Sequence, residues 1–162
     1  MLKDRIRKYL PVVLDLETGG LDNKKNPILE IAIQLLEYRG NNFELGELIR
    51  YHIEPFKDLE IDPESLEFTK IDLSHPLRNA VEENVALKNI SKAINQQRSK
   101  YECSRVILVA HNAHFDLGFL PSSVNISEDP DKDDTDLLPC FATLILFDAT
   151  TSADAVEIFN VL

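Results

Sequence analysis

Three stretches in the first third of the chain have the hydrophobic pattern of β-strands, one as a short apolar run and two by alternation of apolar and polar residues. The first stretch, VVLDL, is rich in β-branched residues and is followed by Gly19 and Gly20, which punctuate a strand that enters a turn. The other two stretches flank the sequence RGNN, which is typical of a hairpin turn. The pattern therefore predicts strands over residues 12–16, 28–38 and 43–53, the last two joined by a turn at 39–42.

Helical spacing begins beyond residue 60. Asp62 is suited to cap a helix and Pro63 to occupy its first position. A longer stretch repeats apolar residues at near-helical spacing, and Pro121 ends a third helical segment. The wholly apolar sequence RVILVA is typical of a strand in a sheet interior. These signals predict helices over 63–70, 80–100 and 112–120, with a strand over 105–110.

The last quarter of the chain contains an acidic run, EDPDKDDTD, which predicts a surface loop within residues 122–138. The sequence PCFATLILF then predicts a strand over 139–147, and Ser152 begins a terminal amphipathic helix over 152–162. Strands that alternate with helices predict one α/β domain over residues 1–162, with a mixed sheet flanked by helices.

The chain is acidic, with 28 Asp and Glu against 17 Lys and Arg and a formal net charge of -11 over 162 residues. This balance excludes a protein that coats nucleic acid nonspecifically, because such binding is driven by clustered cations. One basic cluster stands out near the start, and it is either a local phosphate-binding patch or a solvated terminus. It consists of Lys3, Arg5, Arg7 and Lys8.

Two further features bear on the compartment. No apolar run approaches the roughly 18 residues of a membrane span, and the first residues lack the pattern of a cleaved signal. We therefore expect a cytoplasmic protein with no membrane partner. Cys103 and Cys140 are expected to be core thiols, because they are too few for a disulfide framework and lack metal-binding spacing.

Three carboxylates follow apolar strands. Asp15 and Glu17 lie two residues apart on a predicted strand, so their side chains share one face. Asp116 follows the RVILVA strand and reaches the same place if the two strands are neighbours. Open α/β sheets place their functional sites at the carboxyl ends of strands. Mg²⁺ takes oxygen ligands, which carboxylates at that position can supply. A zinc site at His111 and His114 is disfavoured, because two ligands do not close a tetrahedral shell. The residues favour magnesium.

The segments LDLETGGLD (14–22) and VAHNAHFD (109–116) resemble the first two motifs of the DEDD-type 3′ to 5′ exonucleases. Within that superfamily the segments YHIEPF, IDPESLEFTKID and CSRVILVAHNAHFD are similar, in order, to those of the ribonuclease T family. The resemblance extends from about residue 3 to residue 120. It implies a ribonuclease H-like fold shortened at its C-terminus. It also implies a homodimeric hydrolase that trims the 3′ ends of tRNA and other structured RNAs, and single-stranded DNA.

By this resemblance, Asp15, Glu17 and Asp116 correspond to three of the four carboxylates that hold two Mg²⁺ ions, with Mn²⁺ as a substitute. Two-metal phosphoryl transfer uses ions about 3.5–4 Å apart, which activate water and stabilise charge on the scissile phosphate. These three residues are therefore the expected catalytic and metal-binding set.

The resemblance also implies contacts with the RNA. Leu21 corresponds to a position that packs on the terminal bases, and Glu64 to a carboxylate that reads base edges. Phe68 and Phe115 correspond to phenylalanines that stack on those bases. The basic positions, which in the dimeric family serve the partner subunit's substrate path, are Arg5, Arg7 and Arg105.

The third motif of the family, a His followed five positions later by Asp, has no counterpart, because His114 is the last histidine in these 162 residues. In one alignment of the tail, Asp148 is the fourth metal ligand and Thr143 takes the position of the His. In the other, Phe141 corresponds to a substrate-contacting phenylalanine and the chain stops before the motif. The missing base supports an alternative function, a non-catalytic member of the fold that binds RNA ends or a protein partner.

Overall fold

The computed structural model describes residues 1–120, 141–146 and 156, with the backbone alone for Arg5 and for 141–146. The strands are β1 (Tyr9–Thr18), β2 (Ile28–Arg39), β3 (Asn42–His52), β4 (Arg105–His111) and β5 (Phe141–Leu146). They form one mixed sheet in the order β3-β2-β1-β4-β5. β3, β2 and β1 are antiparallel neighbours, whereas β4 and β5 run parallel to β1. The predicted α/β fold with a mixed sheet is confirmed.

Four helices accompany the sheet in the described ranges. They are α1 (Leu2–Arg5), α2 (Pro63–Thr69), α3 (Glu83–Lys100) and α4 (Ala113–Phe119). α2 begins as predicted, because the side chain of Asp62 accepts a hydrogen bond from the main-chain N–H of Glu64 at 3.0 Å and Pro63 is its first residue. None of the helices so described is long and apolar enough to cross a membrane.

Side chains alternate along β1, so that one face of the strand packs in the core and the other carries the acidic residues. Its even-numbered residues are buried in the hydrophobic core with Ile90 and Ile94 of α3, and each Leu or Ile so buried stabilises the fold by about 1.5–3 kcal/mol. The odd-numbered Asp15 and Glu17 consequently lie on the opposite face. The buried residues of β1 on the core face are Leu10, Val12, Leu14 and Leu16.

The predicted hairpin between β2 and β3 is confirmed, with a tighter turn than RGNN suggested. Arg39 and Asn42 are already paired across the strands, which leaves a two-residue turn. Gly40 and Asn41 fill it with φ values of 54° and 71°. Both values are left-handed, as a type I′ turn requires, and Gly and Asn tolerate them.

One predicted boundary near the core was wrong, and one helix was missed. The longest helix begins at Glu83, not at residue 80, because Val81 forms a bridge with Ile53. The N–H of Val81 donates to the carbonyl of His52 at 2.9 Å, which holds this segment extended. Helix α1 was not predicted at all, and its Leu2 is only 1% exposed.

The C-terminal predictions are tested only in part. β5 lies within the predicted strand 139–147, and Val156, in the predicted terminal helix, is helical and packs against the core. Cys103 is buried, as expected of a core thiol, and burial raises its pKa. The acidic segment 122–138, Cys140 and Asp148 lie outside the described residues.

Candidate active site

Acidic side chains from two strands meet at the carboxyl end of β1. Asp15 and Glu17 share a face of β1, and Glu30 of β2 is paired directly with Glu17. Glu30 is 6% exposed, while Glu17 is half-buried and Asp15 is exposed. Paired residues on adjacent strands have Cβ atoms about 4.5–5.5 Å apart, so these negative charges repel one another.

This crowding is reflected in the acidity of both β1 carboxylates. The pKa of Asp15 is raised, first because the surrounding protein displaces water and then by the charge of Glu30. The pKa of Glu17 is raised by burial and then by the charges of Asp15 and Glu30. Arg50 opposes both shifts, and His111 opposes that of Asp15.

Asp116 joins the cluster from α4. β4 lies beside β1 with Val109 opposite Val13, so α4 starts at the edge of the sheet where Asp15 lies. Asp116 is 4% exposed, and its carboxylate accepts a hydrogen bond from the main-chain N–H of Leu16. Burial, and then the charge of Asp15, raise the pKa of Asp116 to about 6. The fold therefore brings the three predicted carboxylates into one electrostatically coupled cluster.

The carboxylates of this cluster are of the kind that binds a hard cation, but their side chains are not arranged to coordinate one. Over residues 1–120, 141–146 and 156, no three His, Cys, Asp or Glu side chains are grouped closely enough to hold a metal ion. In the same ranges the ion pairs involve none of Asp15, Glu17 and Asp116. Carboxylate oxygens are the ligands that Mg²⁺ and other hard divalent cations prefer, and a cation between these groups would relieve their repulsion.

Glu30 is a site residue that sequence reasoning missed. Nε and Nη2 of Arg50 both lie 2.5 Å from its Oε1. Nδ1 of His52 lies 2.9 Å from its Oε2, without the alignment of a hydrogen bond. Both partners come from β3. The only signal in the sequence was one carboxylate inside the apolar stretch ILEIAIQLL.

An open groove of about 340 Å³ lies between the loop that follows β1 and helix α4. Leu21, which is 84% exposed, and the half-buried Phe115 both line it. Nδ2 of Asn23 donates to the carbonyl of Gly118 at 2.6 Å and so ties one wall to the other. Two of the residues expected to contact bases therefore share one concave surface.

The other two predicted base contacts are on α2. Phe68 is 87% exposed, which is unlike a core residue of a helix, and Glu64 is exposed one turn before it. The N–H of Asp62 donates to the carbonyl of Gly19 at 2.6 Å, so the start of α2 is fixed to the turn after β1. A Cβ on Gly19 would lie 3.0 Å from Cδ of Pro27, which explains glycine at this close approach.

The remaining predicted contacts lie away from the carboxylates. Arg105 is the first residue of β4, at the opposite end of the strand from His111, and its Nη1 donates to the hydroxyl of Tyr9 at 3.3 Å. Arg7 is exposed before β1 begins. Phe141 begins β5 and is paired with Val106, also at that far end of the sheet. Arg5 is described by its backbone only, within α1.

A mixed sheet of this order, with acidic groups at the carboxyl end of its central strand, places the chain in the ribonuclease H-like class of folds. The profile of the RNase T family, described as exonucleases, matches residues 12–152. The chain belongs to the RNase T exonuclease family.

Known relatives agree with this assignment. The chain is 36% identical over 156 residues to ribonuclease T of Actinobacillus pleuropneumoniae serotype 5b, covering 94% of this chain and 67% of that protein. It is 46% identical over 121 residues to ribonuclease T of Photorhabdus laumondii, covering 74% of this chain and 56% of that protein. The chain thus spans between about half and two thirds of the length of these relatives.

A solved structure agrees at the level of the fold. Exonuclease I from Methylocaldum szegediense superimposes with a TM-score of 0.50 at 18% identity, over 68% of this chain and 22% of that one. At this identity the similarity supports the ribonuclease H-like fold and nothing finer.

Proposed function

We propose that the chain is a Mg²⁺-dependent 3′ to 5′ exoribonuclease that trims the 3′ ends of tRNA and other structured RNAs, and also acts on single-stranded DNA. The observation that carries the proposal is the position of Asp15, Glu17 and Asp116 at one edge of the sheet, where their charges influence one another. Membership of the RNase T exonuclease family supports the same reaction class.

Divalent ions would be held by Asp15, Glu17 and Asp116, with Asp148 as the fourth ligand and Mn²⁺ as a substitute for Mg²⁺. The raised pKa values of the three described carboxylates support this, because a cation between them removes the repulsion that raises those values. Bound there, the ions would lower the pKa of a coordinated water and neutralise charge on the phosphate.

The chain's own residues would bind and orient the RNA end. Leu21, Phe68 and Phe115 would pack on the last bases, and stacking on an aromatic side chain contributes about 1–3 kcal/mol per base. Glu64, one turn before Phe68 on the exposed face of α2, would read a base edge. Two large apolar side chains left 84% and 87% exposed support a surface that is covered by a ligand.

A homodimer would explain the position of the basic residues. Arg5, Arg7 and Arg105 lie far from the carboxylates of their own chain, so they would guide RNA towards the partner subunit's site. Phe141, at the same end of the sheet, would contact RNA on that path. Local cationic patches of this kind reconcile an acidic chain with a polyanionic substrate.

A gel assay tests the reaction. A 5′-labelled stem-loop RNA with a single-stranded 3′ extension is incubated with the chain and Mg²⁺, beside Asp15→Asn and a matched control, Asp58→Asn, at an exposed position. We expect ladder-like shortening that Asp15→Asn abolishes and Asp58→Asn preserves. Intact RNA at high enzyme concentration refutes the proposal. Retained binding without shortening would instead support the non-catalytic RNA-end binder.

A further inference from the structure

The groove between the loop after β1 and α4 has an apolar side and a polar side. Leu21 and Phe115 give it surfaces that suit the flat face of a base. Asp22, Asn23 and His114 give it polar groups, and Gly118 and Phe119 complete the lining. A nucleobase has the same two-sided character, with an apolar face and a hydrogen-bonding edge, so the polar side adds to the choice among bases that Glu64 makes from α2.

Two of the three polar groups are already engaged. The carboxylate of Asp22 accepts from the N–H of Lys24 at 3.0 Å and pairs with the ammonium of Lys25 at 3.3 Å. The Nδ2 group of Asn23 is used by the carbonyl of Gly118. These contacts of Asp22 and Asn23 hold the loop in place, so fewer of their donor and acceptor atoms are available to a ligand.

His114 is a polar side chain of the groove that has both a donor and an acceptor left for a ligand. It is exposed on α4, next to Phe115, and forms no hydrogen bond or ion pair with the residues that the structure describes. A neutral imidazole carries one donor and one acceptor nitrogen, which matches the mixed donor and acceptor edge of a base. A ring at this place can therefore discriminate between bases where Leu21 and Phe115 cannot.

We propose that His114 is a specificity-determining residue of the groove, which hydrogen-bonds the edge of the 3′-terminal base held between Leu21 and Phe115. The inference rests on the proposed function and names a determinant of its substrate preference. A single neutral hydrogen bond of this kind changes relative affinity by about 3- to 10-fold. The preference among terminal bases should therefore be of that size and should depend on His114.

The test is equilibrium binding by fluorescence anisotropy, which needs no turnover. Four short single-stranded RNAs differ only in their 3′-terminal base, and each carries a phosphorothioate at its last linkage to resist hydrolysis. The full chain is compared with His114→Phe, which keeps a ring but removes both nitrogens. His75→Phe at another exposed histidine is the matched control, and Leu21→Ala tests the apolar wall.

We expect the wild-type Kd values to span about 3- to 10-fold and those of His114→Phe to span about half of that or less, with Glu64 reading what remains. His75→Phe should keep the wild-type span, and Leu21→Ala should weaken all four RNAs alike. An unchanged span in His114→Phe, with Leu21→Ala still weakening binding, overturns this inference alone. If the wild-type chain binds a 3′-phosphorylated RNA as well as a 3′-hydroxyl one, recognition of RNA 3′ ends fails and the inference fails with it.

Discussion

Replacing Asp116 with Asn tests the electrostatic cost of the acidic cluster. Asp116 is 4% exposed, and the pKa of its carboxylate is raised from 3.8 to about 6. The folded protein thus holds this proton more tightly than the unfolded chain does. The contribution of the group to stability is complete below pH 4 and is lost as the pH rises through about 6.

The magnitude follows from the shift. One pKa unit corresponds to about 1.4 kcal/mol, so ionising Asp116 without a cation costs the fold up to about 3 kcal/mol at pH 8 and about half of that at pH 5. Asn has the same shape, accepts the N–H of Leu16 and carries no charge. We expect Asp116→Asn to be the more stable protein in EDTA, by about 6–12 °C in Tm at pH 8.

Thermal melts followed by circular dichroism at pH 5, 6, 7 and 8 would measure this difference. Asp58→Asn is the matched control, because the same change at an exposed side chain should leave Tm within about 1 °C. Added Mg²⁺ should raise the Tm of wild type and not that of Asp116→Asn. A Tm difference that is absent, or that shrinks as the pH rises, would refute the reasoning.

Three further changes each remove a side-chain group with defined hydrogen bonds. Arg78→Met should lower the free energy of unfolding by at least about 2 kcal/mol in urea titrations, because the buried guanidinium donates to two main-chain carbonyls at 3.0 and 2.7 Å. Tyr101→Phe should lower it by about 1.5–3 kcal/mol, since the hydroxyl donates to the carboxylate of Glu37 at 2.6 Å. Asn23→Ala frees the carbonyl of Gly118, so steady-state trimming assays should show KM raised about 3- to 10-fold with kcat nearly unchanged.

The sequence predicted those features that depend on neighbours along the chain. The two-residue spacing of Asp15 and Glu17 fixes a shared face, and Asp62 with Pro63 fixes the start of α2. Local periodicity could not reveal that Val81 pairs with Ile53, because that bridge joins segments 28 residues apart, and the helical spacing of Val81 was therefore misleading. Tertiary pairing decided the boundary of α3.

In the candidate site, too, the sequence predicted the residues set by local spacing and missed one that depends on tertiary pairing. Motif spacing pointed to the carboxylates of β1 and α4, whereas Glu30 is a site residue only because β2 pairs with β1 and β3 supplies its counterions. The register between two strands depends on both segments and cannot be inferred from either one alone. A lone carboxylate in an apolar strand shows only that a partner must exist.

One register serves both the core and the candidate chemistry of β1. The pairing of Glu17 with Glu30 sets Leu14 and Leu16 into the core and leaves Asp15 on the other face. A slip of one residue would bury the carboxylates and expose the leucines, so hydrophobic packing holds the acidic residues together despite their repulsion. Since that repulsion is strongest when no cation is present, the core stabilises an arrangement that a divalent ion would then relieve. The fold and the proposed metal site are for this reason coupled through the same strand.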